Sequence, residues 1–234
     1  MRVHRTIVLS MLIGALLVAG CGSSNSSSST TQSSSGSGSS NSSSSSTTST
    51  SSSSSSSNSQ GQLGFEGIPI QNGAAVAPAS TTQTGTVNGI QCGSKEELAY
   101  HIHAHLTVFD NGQARSIPGG IGIPGSQVQQ SSAGPVAVGG QCIYWLHTHA
   151  PDGVIHIESP TQRIYSLGDF FDEWHQPLTA NQVGDVKGKV SAIVNGKPWT
   201  KSTRAIPLDP HQVIQLNVGS PVPFETVNWG GTGL

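Results

Sequence analysis

Charge is scarce in this chain. Lys and Arg number 10 and Asp and Glu 12 among 234 residues, so no basic stripe exists to track a phosphate backbone, and nucleic acid is excluded as a partner. Methionine is scarcer still: Met1 and Met11 are the only two. Both sit at the extreme N-terminus, which excludes a thioether-rich Cu(I) site in the remainder. Aromatic residues make up 5%, and every one follows residue 62. The longest apolar run, Ile7 to Ala19, is too short to span a bilayer. Three enzyme patterns are missing as well: HExxH, the GxSxG nucleophile elbow and a glycine-rich loop opening a helix.

That short apolar run has a use of its own. Preceded by Arg2, His4 and Arg5, it has the form of a signal-peptide core. It ends in Val18-Ala19-Gly20-Cys21, which resembles a bacterial lipobox. The resemblance implies cleavage before Cys21 and lipidation of its sulfur, so residues 1–20 are expected to be a lipoprotein signal peptide. Two or more acyl chains anchor stably, and the expected partner is therefore a membrane, engaged from the extracytoplasmic side of the cell envelope without being spanned. Residues 21–60 are expected to be the lipidated cysteine and a disordered tether, nearly all serine, with too little apolar surface to offset ordering. As a flexible coil the tether reaches roughly 35 Å. Loss of Arg2 and Arg5 leaves eight basic residues against twelve acidic, a mature charge near −4. Residues 61–234 suffice for one domain with a real core.

The histidines are concentrated. Six of nine fall in His101-Ile102-His103-Ala104-His105 and in His147-Thr148-His149 with His156. Alternate positions on a strand share one face, so each run can converge on a point. From Tyr100 to Phe109, Ile102, Leu106 and Val108 take one face and His101, His103, His105 and Thr107 the other. Asp110-Asn111-Gly112 predicts a hairpin into Gln113–Ile117. Cys142 to His149 is apolar on both faces and predicts a central strand. Ala150–Gly153 then turns the chain, and Val154–Glu158 returns. Closing that hairpin with His149 opposite Val154 sets His147 opposite His156, at roughly 5 Å between Cβ atoms.

Ser94-Lys95-Glu96-Glu97 has the form of a capping box and predicts a short helical turn ending near Tyr100. Ser166-Leu167-Gly168-Asp169 predicts a helix to about His175, with Leu167, Phe170, Phe171 and Trp174 on its apolar stripe. Lys189–Val194 and Lys197–Trp199 around Asn195-Gly196 form a further hairpin, and Val213–Val218 is a last strand. The fold class is mainly β, a β-rich α+β arrangement of antiparallel hairpins in a sheet, small sandwich or barrel, with one or two short helices. The Ile117–Gly125 stretch, rich in glycine and proline, predicts a loop. With Cys21 assigned to lipid, Cys92 and Cys142 are expected to be disulfide-bonded in an oxidising compartment. The alternative, two thiolates joining a metal site, finds no CxxC spacing in its favour.

Cys142-Ile-Tyr-Trp-Leu-His-Thr-His149, Asp152-Gly-Val-Ile-His-Ile-Glu-Ser-Pro160, Ser166-Leu-Gly-Asp-Phe-Phe-Asp-Glu-Trp174 and Tyr100-His-Ile-His-Ala-His-Leu106 together resemble a family of small exported proteins, often lipoproteins, of bacteria and archaea. The resemblance runs from about Phe65 to Gly219 and implies an exported domain with no attached activity. A cupin comparison is weaker: cupins follow HxH with a carboxylate four or five residues on, whereas Glu158 lies nine beyond His149.

Three functional readings follow. Clustered neutral imidazoles suit Zn(II) or Cu(II) better than Ca²⁺ or Mg²⁺, pointing to a module that captures or hands on a transition metal. His147, His149 and His156 are the leading ligands, His103 and His105 come next, and His101 is the spare. Glu158 or Asp152 could orient an imidazole through its other N–H. Alternatively three histidines hold an ion whose open position carries water for hydrolysis or hydration, with Glu158 as catalytic base. The third reading is a structural or ligand-binding envelope protein with half-buried, hydrogen-bonded histidines. His175 and His211 stand outside the clusters, and no protein partner is indicated.

Overall fold

A computed structural model describes residues 61–79 and 82–234. The signal peptide, Cys21 and the serine tether lie outside the described residues. The fold is β-rich, as the alternating pattern predicts. Its main sheet has seven strands: β1 Tyr100–Asp110, β2 Gln113–Arg115, β3 Leu146–His147, β4 Val154–Ser159, β5 Val190–Val194, β6 Lys197–Trp199 and β7 Gln212–Val218. They run in the order β6-β5-β7-β1-β4-β3, with β2 beside the end of β1. Among the described residues there is one α-helix, α1 Leu167–Glu173, and no closed barrel.

Tight turns set much of this register. Asn111 and Gly112 have φ of 48° and 85°, and Asn195 and Gly196 have 47° and 76°. Left-handed conformation at both central residues is what a two-residue hairpin turn requires, and Asn-Gly supplies it at least cost. The pairing of β7 with β1 is parallel, a departure from the antiparallel expectation. Strands at a parallel junction are covered on both faces, and all seven residues of β7 are buried.

One face of the sheet meets the helix. Ala104, Leu106, Val108, Leu146, Ile155, Ile157, Ile214 and Leu216 join Leu167, Phe170, Phe171 and Trp174 in one buried cluster. The helix starts where predicted: Ser166 accepts from the Asp169 amide while the Asp169 carboxylate accepts from the Ser166 amide, a reciprocal cap. The opposite face of the sheet carries the histidines.

The expected central strand is in fact an edge, and it is broken. Ile143–Tyr144 pairs with Ile90–Gly93 in a separate small sheet, whereas β3 pairs only with β4. The sequence reads as central because a loop covers the outer edge. Tyr144 N–H donates to Gly122 O, Thr148 N–H to Ile121 O and Gly120 N–H to Thr148 O, at 2.7–3.1 Å. Such close backbone approach requires glycine: a Cβ on Gly119 would lie 2.4 Å from His149 O, and one on Gly122 would lie 2.2 Å from Leu146 O. The Thr148 hydroxyl also donates to Pro118 O and accepts from Ile121 N–H. The glycine-rich loop thus clamps the backbone between His147 and His149.

The Cys92–Cys142 disulfide is present, with Cα atoms 5.3 Å apart. The helical turn expected at Ser94–Tyr100 is absent: no helix forms there. Cys92 is paired with Tyr144 and Tyr100 already belongs to β1, so the short link between them is fixed at both ends and runs through bends and a turn. Glu96 consequently reaches the histidines instead of capping a helix.

Candidate metal centre

Three histidines lie on one rung. His103 on β1 is opposite His156 on β4, and His156 is opposite His147 on β3. The period-two spacing brings His101, His105, His149 and Glu158 to the same face as the neighbouring rungs. The His103 and His156 rings meet edge to face with centroids 4.5 Å apart, and the His156 and His147 rings stack at 5.2 Å.

His147 and His149 are oriented alike. Nδ1–H of His147 donates to Tyr144 O at 2.9 Å, and Nδ1–H of His149 donates to Ala137 O at 2.8 Å. In the neutral rings this places both lone pairs on Nε2, and the two Nε2 atoms face each other 3.2 Å apart. Burial, then the neighbouring His156 and His149 charges, push His147 well below its ordinary pKa. Carboxylates crowd the same point. Glu96 Oε1 is 3.5 Å from His149 Nε2 and 4.0 Å from His147 Nε2, and Glu158 Oε2 is 3.9 Å from His147 Nε2. Glu158 Oε2 is buried with no hydrogen-bond partner. With both rings neutral, lone pairs converge with no hydrogen to share, an arrangement that a cation would satisfy. Ligand atoms of tetrahedral zinc, bonded at about 2.0–2.1 Å, lie about 3.3 Å apart, close to these separations.

His156 is built differently. Its Nδ1 meets Glu158 Oε1 at 3.1 Å and its Nε2 meets Glu66 Oε1. Burial disfavours a charged ring, but hydrogen bonds to Glu158 and Glu66 outweigh it and raise the pKa to about 9. His156 is then an imidazolium held between two carboxylates. Burial opposes the charge on Glu66, yet the His156 ring prevails and holds that carboxyl below its ordinary value. Asp152, pushed up to about 8 by burial and by Glu66, is protonated at neutral pH. Glu66, Glu96 and Glu158 against His156 leave two negative charges at the centre, which one divalent cation balances.

On β1 the outcome divides. His101 Nε2 lies 2.9 Å from His103 Nε2 and 3.0 Å from Glu158 Oε1. His101, His103, His156 and Glu158 each offer a ligand atom within 4.8 Å of one another, as do His147, His149 and His156, and Glu96, His147 and Glu158. His105 stays apart: its Nε2–H donates to Asp152 O at 2.7 Å, its ring meets Trp229 edge to face, and burial lowers its pKa to about 4. Burial, then the His156 and His101 charges, lower His103 to about 3. His175 contacts Gln83, and His211 stacks on Trp229. Two acidic residues at the centre, Glu66 and Glu96, were not among the sequence candidates. For Glu96 a signal existed, since Cys92 and Cys142 bonded together carry its segment towards His147. Glu66 sits in a Gly-Phe-Glu-Gly turn that carries no sequence signal.

These buried His and Glu side chains have the geometry to hold a metal ion. Compared with family models, curated proteins and solved structures, the chain matches none.

Proposed function

We propose that this protein is a lipid-anchored extracytoplasmic module that binds Zn(II) or Cu(II) through His147, His149, Glu96 and Glu158. The observation that carries the reading is the pair of facing Nε2 atoms, 3.2 Å apart, each ring fixed by an Nδ1–H bond to a backbone carbonyl. That outer hydrogen bond is the usual partner of a metal-bound imidazole. Mixed imidazole and carboxylate ligands favour Zn(II) and Cu(II) over the harder cations. His156, charged and doubly bonded, serves as the internal counter-ion to Glu66 and Glu158. The lipobox at Val18–Cys21 and the serine tether support membrane attachment, and the motifs of the β-rich domain support its place among exported histidine-rich proteins.

Elemental analysis of the full chain, purified without a histidine tag, tests the reading. A stoichiometric transition metal is expected, with the ion at this position lost in His147→Ala and His149→Ala and kept in His175→Ala. Equal weakening in all three would mean nonspecific surface coordination and would refute it.

A further inference from the structure

Beside the site just proposed lies a second constellation, whose two histidines the four-ligand reading leaves unused. His101 Nε2, His103 Nε2 and Glu158 Oε1 meet at 2.9 and 3.0 Å around the His101 nitrogen. At most one ring hydrogen lies among these atoms, on whichever imidazole bears it at Nε2, and the His156 Nδ1 proton is already directed at the same Glu158 oxygen. A divalent cation would satisfy all three ligands, needing them to open by only a few tenths of an ångström to reach the edge of about 3.3 Å in a tetrahedral site. Glu158 is placed to join the two positions: Oε1 faces His101 and His156, and Oε2 faces His147.

We infer that the protein holds a dinuclear centre in which Glu158 bridges two divalent ions, one on His147, His149 and Glu96, the other on His101 and His103. This rests on the metal-binding reading above. The second ion is the accessible one. His101 is exposed, and with His103, Pro210, His211 and Leu234 it lines a cleft of about 300 Å³, so the open coordination position faces solvent. An ion held at the mouth of this cleft takes a small oxyanion, whose oxygens complete the coordination. Two-metal sites hold their ions about 3.5–4 Å apart and clamp oxyanions in this way.

The test is metal stoichiometry of the full chain, titrated with Zn(II) and then Cu(II). Two ions per chain are expected, falling to one in His101→Ala and to one in His149→Ala, with His175→Ala keeping two. Because His101 is exposed, its replacement leaves the fold intact. Two Cu(II) ions at this spacing give a magnetically coupled signal, and inorganic phosphate binds the two-ion form at least tenfold more tightly than the His101→Ala protein. One ion per chain, unaffected by His101→Ala and lost in His149→Ala, would overturn the second position and leave the first reading standing. One ion lost in both variants, two uncoupled Cu(II) ions, or phosphate affinity equal in both proteins would also overturn the bridged centre. No bound ion at all would overturn both readings.

Discussion

Replacing Glu158 by Gln keeps the shape of the side chain and removes one charge from the middle of the centre. Glu158 is 3% exposed, so water cannot take over its role. Its Oε1 serves His101 and His156, and its Oε2 has no partner but the position beside His147. Two unit charges 4 Å apart at an effective dielectric of 20 interact by about 4 kcal/mol, and a divalent ion in contact with the carboxylate gains more before desolvation is subtracted. A loss of at least about 3 kcal/mol follows, roughly a hundredfold in Zn(II) affinity at 1.4 kcal/mol per factor of ten. The same substitution removes one of two carboxylates from the His156 imidazolium. Glu66 still pairs with that ring, so the metal-free fold should lose about 1.5–3 kcal/mol, the range for a charged hydrogen bond, rather than collapse. Calorimetric titration with Zn(II) and urea unfolding of the metal-free protein measure the two effects separately. A folded Glu158→Gln protein that binds Zn(II) as tightly as the parent would refute the assignment of Glu158 as ligand.

Three further outcomes are expected. Reducing the Cys92–Cys142 disulfide, which closes a separation of 50 residues, should cost about 4 kcal/mol of stability in the chain-entropy model and should weaken Zn(II) binding by releasing Glu96; thiol titration of the denatured, unreduced chain should find neither of these two cysteines free. In the metal-free protein His105 should contribute a loss of about 2 kcal/mol of stability on going from pH 7 to pH 5, opposed by Asp152 and His156, whose raised pKa values favour the folded state in acid. The folded His105 pKa of about 4 lies below the ordinary 6.5, so between those values the unfolded chain binds the extra proton and acid favours unfolding. In His105→Asn that share of the pH dependence should vanish, and an unchanged slope in urea unfolding would contradict it. Cys21→Ser should release the protein from membranes in cell fractionation while leaving Zn(II) binding by the domain unchanged; continued membrane association of a processed chain would show another anchor.

The local features of the fold were legible because they are governed by neighbours in the chain. Period-two alternation placed His101, His103 and His105 on one face of β1, the Asn-Gly pairs fixed two hairpins, and Ser166 with Asp169 started the helix. The register of the Ala150–Gly153 turn set His147 opposite His156. Cys92 and Cys142 were paired by elimination. What the sequence could not supply was anything decided by parts of the chain far apart. Cys142–His149 is apolar on both faces whether a strand or a glycine loop lies beside it, so composition alone made an edge resemble a centre. Glu66 reaches His156 across 90 residues, and no short-range pattern encodes that contact. His101 and His105 are equivalent in spacing, yet only His101 meets Glu158, because a side chain's partner depends on which groups the neighbouring strand and covering segments present at that rung. Alternation fixes the face to which a histidine points; tertiary packing fixes whether it finds a carbonyl, a carboxylate or another lone pair, and that choice separates a buried structural imidazole from a ligand.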